Sequence, residues 1–394
     1  MTYRKFSLFW MGMAFSGSGF AAAFEQSSQS IQILFYDQNY VEMSAARIQP
    51  DVTGKIVRTE SMFEDGIQDD STGQLVKDQW GGNASVKLQV APDWSIAILY
   101  DRPFGMDAQY YYQPTQDHQH QFSESATIQF NSHTLSTVVG FQPTVNWHLY
   151  SGVALQRFSG ELGITGVKYD FLDGYQVHFK PETSFGWLAG ISYSIPEYYF
   201  RASLTYRSPI QHKHKTEESI ETGLSQSDYS TIRTPESVNL DFNIGLSTRS
   251  FAYVSLRWVN WPEFVVQPPE LNVIAKLAAL DLHLIDYQDQ QWSGKVGLGY
   301  RLYPNWTPLL EYLWDSGTGN PASTLNPSDG YWGIGLGHLY KIQETWDIAT
   351  GLYYLKFQKP KISTSESITS QISGLSAISD NSAWIVGLKL GYHF

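Results

Sequence analysis

Six cations, Arg201, Arg207, Arg257, Lys295, Arg301 and Lys389, fall on one parity of segments whose alternate positions are apolar, and the carboxylates Asp241 and Glu311 fall on it too. Cations gathered on an enclosed face can grip a carboxylate head group through charge-assisted hydrogen bonds, or pair with resident carboxylates such as these two. Pairing is the expected role for most of them. Arg201, Arg257, Lys295 and Arg301 are the candidates for contact with a substrate. Nucleophilic chemistry has no foothold, since the chain has no cysteine and no Gly-x-Ser-x-Gly elbow, so catalysis is not expected. His118 and His120, like His212 and His214, stand two apart in polar connections; pairs this sparse bind a metal weakly, and neither a metal nor a cofactor is expected. Asp69-Asp70 and residues 169–174 lack the oxygen ligands of a calcium loop.

The composition says what kind of frame holds these groups. Aromatic residues make up 15% of the chain and charged ones only 16%, against about 25% charged in soluble domains. Much of the surface must therefore face something other than water. A formal charge of −12 disfavours a nucleic-acid partner. Residues 1–23 read as a cleavable signal peptide, with Arg4 and Lys5 as the charged start, an apolar core from Phe6 to Phe15 and the small residues Ala21, Ala22 and Ala23 before the cut. No later apolar run approaches the roughly 20 residues of a spanning helix.

Period-two alternation marks strands at residues 44–57, 84–91, 94–104, 124–141, 146–158, 184–195 and 198–209, and again at 237–248, 251–262, 291–302, 305–316, 329–342, 345–358 and 381–394. In the last of them Trp384, Val386, Leu388, Leu390, Tyr392 and Phe394 share one face, while Gly387, Lys389 and His393 share the other. A charge facing the bilayer midplane costs about 2–4 kcal/mol, so an uncharged apolar parity is what hydrocarbon demands. Tight turns, as at residues 92–93, 196–197 and 303–304, alternate with long polar connections such as 105–123, 159–183 and 210–236. Trp94, Trp147, Trp258, Trp261, Trp306, Trp314 and Trp346 lie at strand ends, where an interfacial aromatic girdle belongs. The expected fold is all-β: a transmembrane antiparallel up-and-down β-barrel of about 14 strands over residues 44–394, with a short N-terminal plug at 24–43, in a bacterial outer membrane.

Two further segments suit apolar cargo. Phe24, Ile31, Ile33, Leu34, Phe35 and Tyr36 of the plug would line an interior groove, with Phe24, Ile33 and Phe35 as substrate candidates. In connection 263–290, Leu271, Ile274, Leu277, Ala278, Leu282 and Ile285 recur near helical spacing. They predict an amphipathic helix that either captures substrate, through Leu271, Ile274 and Leu277, or caps the barrel.

Several passages resemble the FadL type of outer-membrane long-chain fatty acid and hydrophobic-compound transporters, over essentially the whole mature chain. Residues 45–54, AARIQPDVTG, resemble that family's first strand; residues 98–105, ILYDRPFG, a segment closing an early strand; and Thr234-Pro235-Glu236-Ser237 with Trp258 to Phe264, its paired central strands. The resemblance implies a monomeric plugged barrel that takes up hydrophobic small molecules such as fatty acids by passive diffusion and releases them sideways through a kinked strand. Outer-membrane lipid would surround it, and the outer-membrane assembly machinery would recognise its terminal Phe394. Residues 24–43 depart from the family, lacking the Asn-Pro-Ala motif of its plugs and being shorter. A general diffusion porin and a structural or receptor barrel are the alternatives.

Overall fold

The computed structural model describes residues 25–56, 70–112, 124–166, 172–220, 225–277, 283–319, 330–343, 345–358, 375–377 and 381–394. Fourteen antiparallel strands close into a barrel. The first seven are β1 (Tyr40–Asp51), β2 (Gln79–Ala91), β3 in two pieces (Trp94–Asp101 and Gly105–Tyr112), β4 (Glu124–Phe141), β5 (Trp147–Thr165), β6 (Gln176–Ile195) and β7 in two pieces (Phe200–Arg207 and Ile210–Ser219). The rest are β8, also in two pieces (Ser225–Thr234 and Ser237–Gly245), β9 (Ser250–Val259), β10 (Gln291–Tyr300), β11 (Trp306–Asp315), β12 (Tyr331–Ile342), β13 (Trp346–Phe357) and β14 (Ser382–His393). β14 returns to β1, in register from Tyr40↔His393 to Asp51↔Ser382, so the wall ends on no free edge.

Burial alternates as the sequence predicts. Val296, Leu298, Leu310, Ile334, Leu336, Leu352, Val386 and Leu388 are exposed on the outside, while Lys389, Glu311 and Asn239 are buried within. A continuous exposed apolar belt of this kind belongs in hydrocarbon. Large inward rings find space opposite inward glycines: a Cβ on Gly297 would collide with Tyr253, one on Gly335 with Tyr353, and one on Gly391 with Tyr40.

Three expectations change. The first strand starts at Tyr40 and ends at Asp51 rather than spanning 44–57, because Thr53–Ile56 leaves the wall to pair with Asp70–Gln74 and Leu375–Ala377. The polar connections are shorter than expected: 105–123 gives Gly105–Tyr112 to β3, 159–183 gives its ends to β5, which runs to Thr165, and to β6, which starts at Gln176, and 210–236 is largely a hairpin, Ile210–Ser219 against Ser225–Thr234, that prolongs β7 and β8. Trp261 does not join a girdle: it is fully buried and donates through Nε1 to Gln291 Oε1 at 2.5 Å. Trp80, Trp94, Trp147, Trp314 and Trp346 do stand exposed on the outside.

The wall parts in two places. In β3, Asp101 pairs with Thr134 and Gly105 with Asn131, so Arg102, Pro103 and Phe104 bulge opposite Ser132 and His133. On the other side of β3, pairing with β2 ends at Ala84↔Tyr100, and above the gap the chain ahead of β2 meets β3 through a Val76↔Ala108 bridge, the Gln109 N–H donating to the Leu75 carbonyl at 3.0 Å, and a Lys77–Asp107 pair at 3.4 Å. Between β6 and β7 the ladder stops at Leu188↔Arg207 and resumes at Phe179↔Thr216.

Candidate functional site

Residues 25–36, ahead of β1, pack against inward-facing side chains of the barrel wall. Their fixed points are the cations that the strand alternation turns inward. Arg257 Nε donates to Glu25 Oε1 at 2.5 Å, its Nη1 to Asn239 Oδ1 at 2.6 Å, and its Nη2 to Gln29 Oε1 at 3.1 Å. Asn239 Nδ2 in turn donates to the Ser28 carbonyl at 2.7 Å, and Arg207 Nη2 to that of Gln29 at 3.0 Å. Burial pushes the Glu25 carboxyl up, and the charge of Arg257 and its hydrogen bond oppose that push. A buried carboxylate without a partner would not be tolerated here.

Further along, Ile31, Ile33, Leu34, Phe35 and Tyr36 pack with Ala97, Leu99, Val138, Tyr150 and Leu188 of the wall. Three of these segment residues, Ile33, Leu34 and Phe35, lie in a 3-10 turn, Gln32–Phe35. The Arg201 guanidinium sits 4.7 Å from the centre of the Phe35 ring, with Nη1 3.4 Å from the Phe35 carbonyl. Lys87 Nζ donates to the carbonyl of Tyr36 at 2.8 Å. The structure thus brings Ile33, Phe35, Arg201 and Arg257 together around one segment; Phe24 lies outside the described residues.

The remaining lumen candidates sit elsewhere. Lys295 Nζ is 3.5 Å from Glu311 Oε1, and Glu311 also accepts from the hydroxyls of Tyr253 and Tyr353. Lys389 pairs with Glu42 at 2.6 Å. Arg301 follows the end of β10 at the tight-turn end of the barrel, where its N–H donates to the Arg249 carbonyl at 2.6 Å.

A second apolar body fills the opposite half of the lumen, where Phe104, Phe130, Phe158, Phe179, Trp261 and Phe264 pack together. Connection 263–290 contributes to it, and the expected helix is there as α1 (Pro269–Leu277). Leu271 is buried in this body rather than presented outward; the side chains of Ile274 and Leu277, and residues Ala278 and Leu282, lie outside the described residues. Glu218 anchors the start of α1, accepting the N–H groups of Glu270 at 3.0 Å and Leu271 at 3.1 Å, where a carboxylate complements the helix dipole.

His212 and His214 prove not to be loop residues. Both are fully buried on β7, with His212 Nδ1 2.7 Å from Glu182 Oε2 and Nε2 3.0 Å from Gln156 Oε1. Among the described residues no group of His, Cys, Asp or Glu could hold a metal ion. His118 and His120 lie outside them. Sequence reasoning overlooked Glu25, Gln29 and Asn239, whose significance depends on partners far along the chain. It also overlooked the flank of the β3 gap, where Gln26 N donates to the Pro103 carbonyl at 2.7 Å, Gln26 Nε2 to Gln79 Oε1 at 3.2 Å, and Arg102 Nη1 to the Trp80 carbonyl at 3.4 Å.

The sequence that forms this closed fourteen-strand barrel matches, over residues 4–394, a family model described as outer membrane protein transport protein (OMPP1/FadL/TodX). The chain belongs to this family. Its members are outer-membrane transporters of hydrophobic compounds, which places this barrel in the outer membrane. A FadL homologue from Pseudomonas aeruginosa superposes with a TM-score of 0.70 at 15% identity, covering 92% of each chain. The toluene transporter TbuX of Ralstonia pickettii gives 0.60 at 13% identity, covering 96% of this chain and 97% of its own. The Pseudomonas putida toluene transporter TodX gives 0.54 at 12%, covering 91% and 90%. Identities this low speak for the fold alone. No curated protein matches in sequence.

Proposed function

We propose that this family member is a monomeric passive channel, without catalytic activity, for hydrophobic small molecules such as long-chain fatty acids, with its plug in the segment expected at 24–43, shortened to end before Tyr40, where β1 begins. One observation carries the reading: residues 25–36 cross the lumen on Arg257, Asn239, Arg207 and Arg201, next to the gap between β2 and β3. An occupied lumen is poor for ions and water. A lateral gap flanked by Trp80 and Gly81 suits a solute that leaves for the bilayer.

A carboxylate head has a place to rest. Among the described residues Arg201 has no ion-pair partner and stacks on Phe35, so an incoming fatty acid would set its head on Arg201 and its tail along Ile33 and Phe35. Lys295 and Arg257 are already engaged with Glu311 and Glu25, which makes them structural. Leu271, and with it Ile274 and Leu277, would serve as part of a lid that substrate passes on its way in.

The test is a pair of measurements on purified barrel. In planar bilayers it should be nearly silent, and in proteoliposomes it should speed equilibration of oleate. Steady ion conductance with no acceleration of oleate or toluene would establish a diffusion porin instead.

A further inference from the structure

The break between β6 and β7 has no part in that reading, yet an open groove of about 430 Å³ lies in it on the outer face of the wall. Its cause lies in the backbone. Against β5, Phe158 pairs with Glu182 but Gly160 with Phe179, so β6 carries an extra residue and bends away. β7 is interrupted opposite by Ser208-Pro209, and proline has no N–H for a ladder bond.

Side chains close what the backbone leaves open. His212 reaches Glu182 at 2.7 Å, and His214 Nδ1 the Lys180 carbonyl at 2.8 Å. Below them, Trp187 and Ser208 form a single rung: Trp187 N donates to Ser208 Oγ and Ser208 N to the Trp187 carbonyl, both at 2.9 Å. Gly186 leaves the threshold narrow, since a Cβ there would lie 2.6 Å from Ile210 Cγ1.

The outer mouth opens at the edge of the hydrocarbon, apolar on the β6 side and bounded on the other by half-exposed Arg233. Phe185 at its rim is 76% exposed and Val153, on neighbouring β5, 61% exposed, and such apolar exposure is stable only against lipid. Trp187 and Tyr206 line the groove with ring centres 5.1 Å apart. Its polar groups are already matched: Arg233 Nε is 3.1 Å from Glu263 Oε2, and Glu236 accepts from Tyr206 at 2.6 Å. A carboxylate would have to break those pairs, whereas an uncharged aromatic ring would not. Directly inside, a cavity of about 20 Å³ shares Trp187 and Ser208 and reaches Gln29 and Arg207.

We infer that this seam is a second lateral passage, separate from the β3 gap, that admits uncharged aromatic molecules between bilayer and lumen with Trp187 at its threshold. The inference rests on the transport reading. Photolabelling of the full barrel in lipid vesicles with 3-trifluoromethyl-3-phenyldiazirine, an uncharged aromatic probe, tests it. Label on Phe185, Trp187 or Tyr206 should be suppressed by excess toluene, while label on Leu298, elsewhere on the lipid-facing wall, should not. Phe185→Ala should weaken that competition up to about tenfold, the worth of one aromatic contact. Uncompeted label at the seam, with competed label in the lumen or at Trp80, would overturn the second passage and leave the transport reading standing. Competed label nowhere would take both down.

Discussion

The wall from β9 to β14 and the wall from β2 to β8 are built from the same alternation, yet they do different things. In the first, every strand pairs with both neighbours in unbroken register, as in Tyr331↔Phe357 to Ile342↔Trp346, and inward rings interlock with glycines. In the second, strands run to 18–20 residues and the ladder parts at β3 and at β7. Where backbone bonds run without interruption, the side chains need only suit lipid outside and packing inside. Where they stop, Gln26, Arg102, His212 and the N-terminal segment take over, and side-chain contacts can be broken without unfolding a sheet. Function should therefore concentrate on the parted side and stability on the regular one.

The largest effect should come from deleting residues 25–36. The backbone ladders of the wall do not include them, so the barrel should still fold, with Arg257 of β9 left facing the opened lumen, and planar bilayers should show steady conductance where the parent is silent. A silent deletion variant would mean that the apolar body around Phe158 and Trp261 seals the lumen unaided. Arg257→Ala should come next. It leaves Glu25 buried without its counter-charge, a loss of about 3–5 kcal/mol for a buried pair. The segment should then detach intermittently, giving brief conductance bursts with an unchanged barrel. On the regular wall, Leu298→Arg should lower stability by about 2–4 kcal/mol in urea-dependent folding into vesicles, with conductance untouched. A loss under about 1 kcal/mol would place Leu298 at an interface.

The two sides were not equally legible in the sequence. Leu298, Val386 and their neighbours were readable because lipid tolerates no charge, so their parity is clean. The hairpin carrying His212 and His214 was not, since its outward residues, Gln211, Lys213 and Lys215, are polar as well. With both faces hydrophilic, a strand that rises past the bilayer reads like a loop. Trp261 at a strand end looks the same whether it turns out to lipid or in to Gln291. The β3 break hid inside an alternation that runs straight through Arg102 and Pro103. The Glu25 contact spans 232 residues, and no local pattern encodes a pairing that distant.

A pair of glycines separates the two sides with the smallest change possible. On β12, a methyl at Gly335 meets the ring of Tyr353, and that ring has little room to yield because its hydroxyl donates to buried Glu311 at 2.5 Å. Gly335→Ala should therefore destabilise by about 1–3 kcal/mol, as overpacking does. On β2, beside the β3 gap, a Cβ at Gly81 meets nothing within 4 Å. Gly81→Ala should be neutral or stabilise by about 0.4–1 kcal/mol through the unfolded chain. If the two substitutions shifted the urea midpoint alike, the gap beside β2 would be filled in the membrane and the contrast between the walls would vanish; opposite signs would mark Gly81 as lining open space that substrate can use.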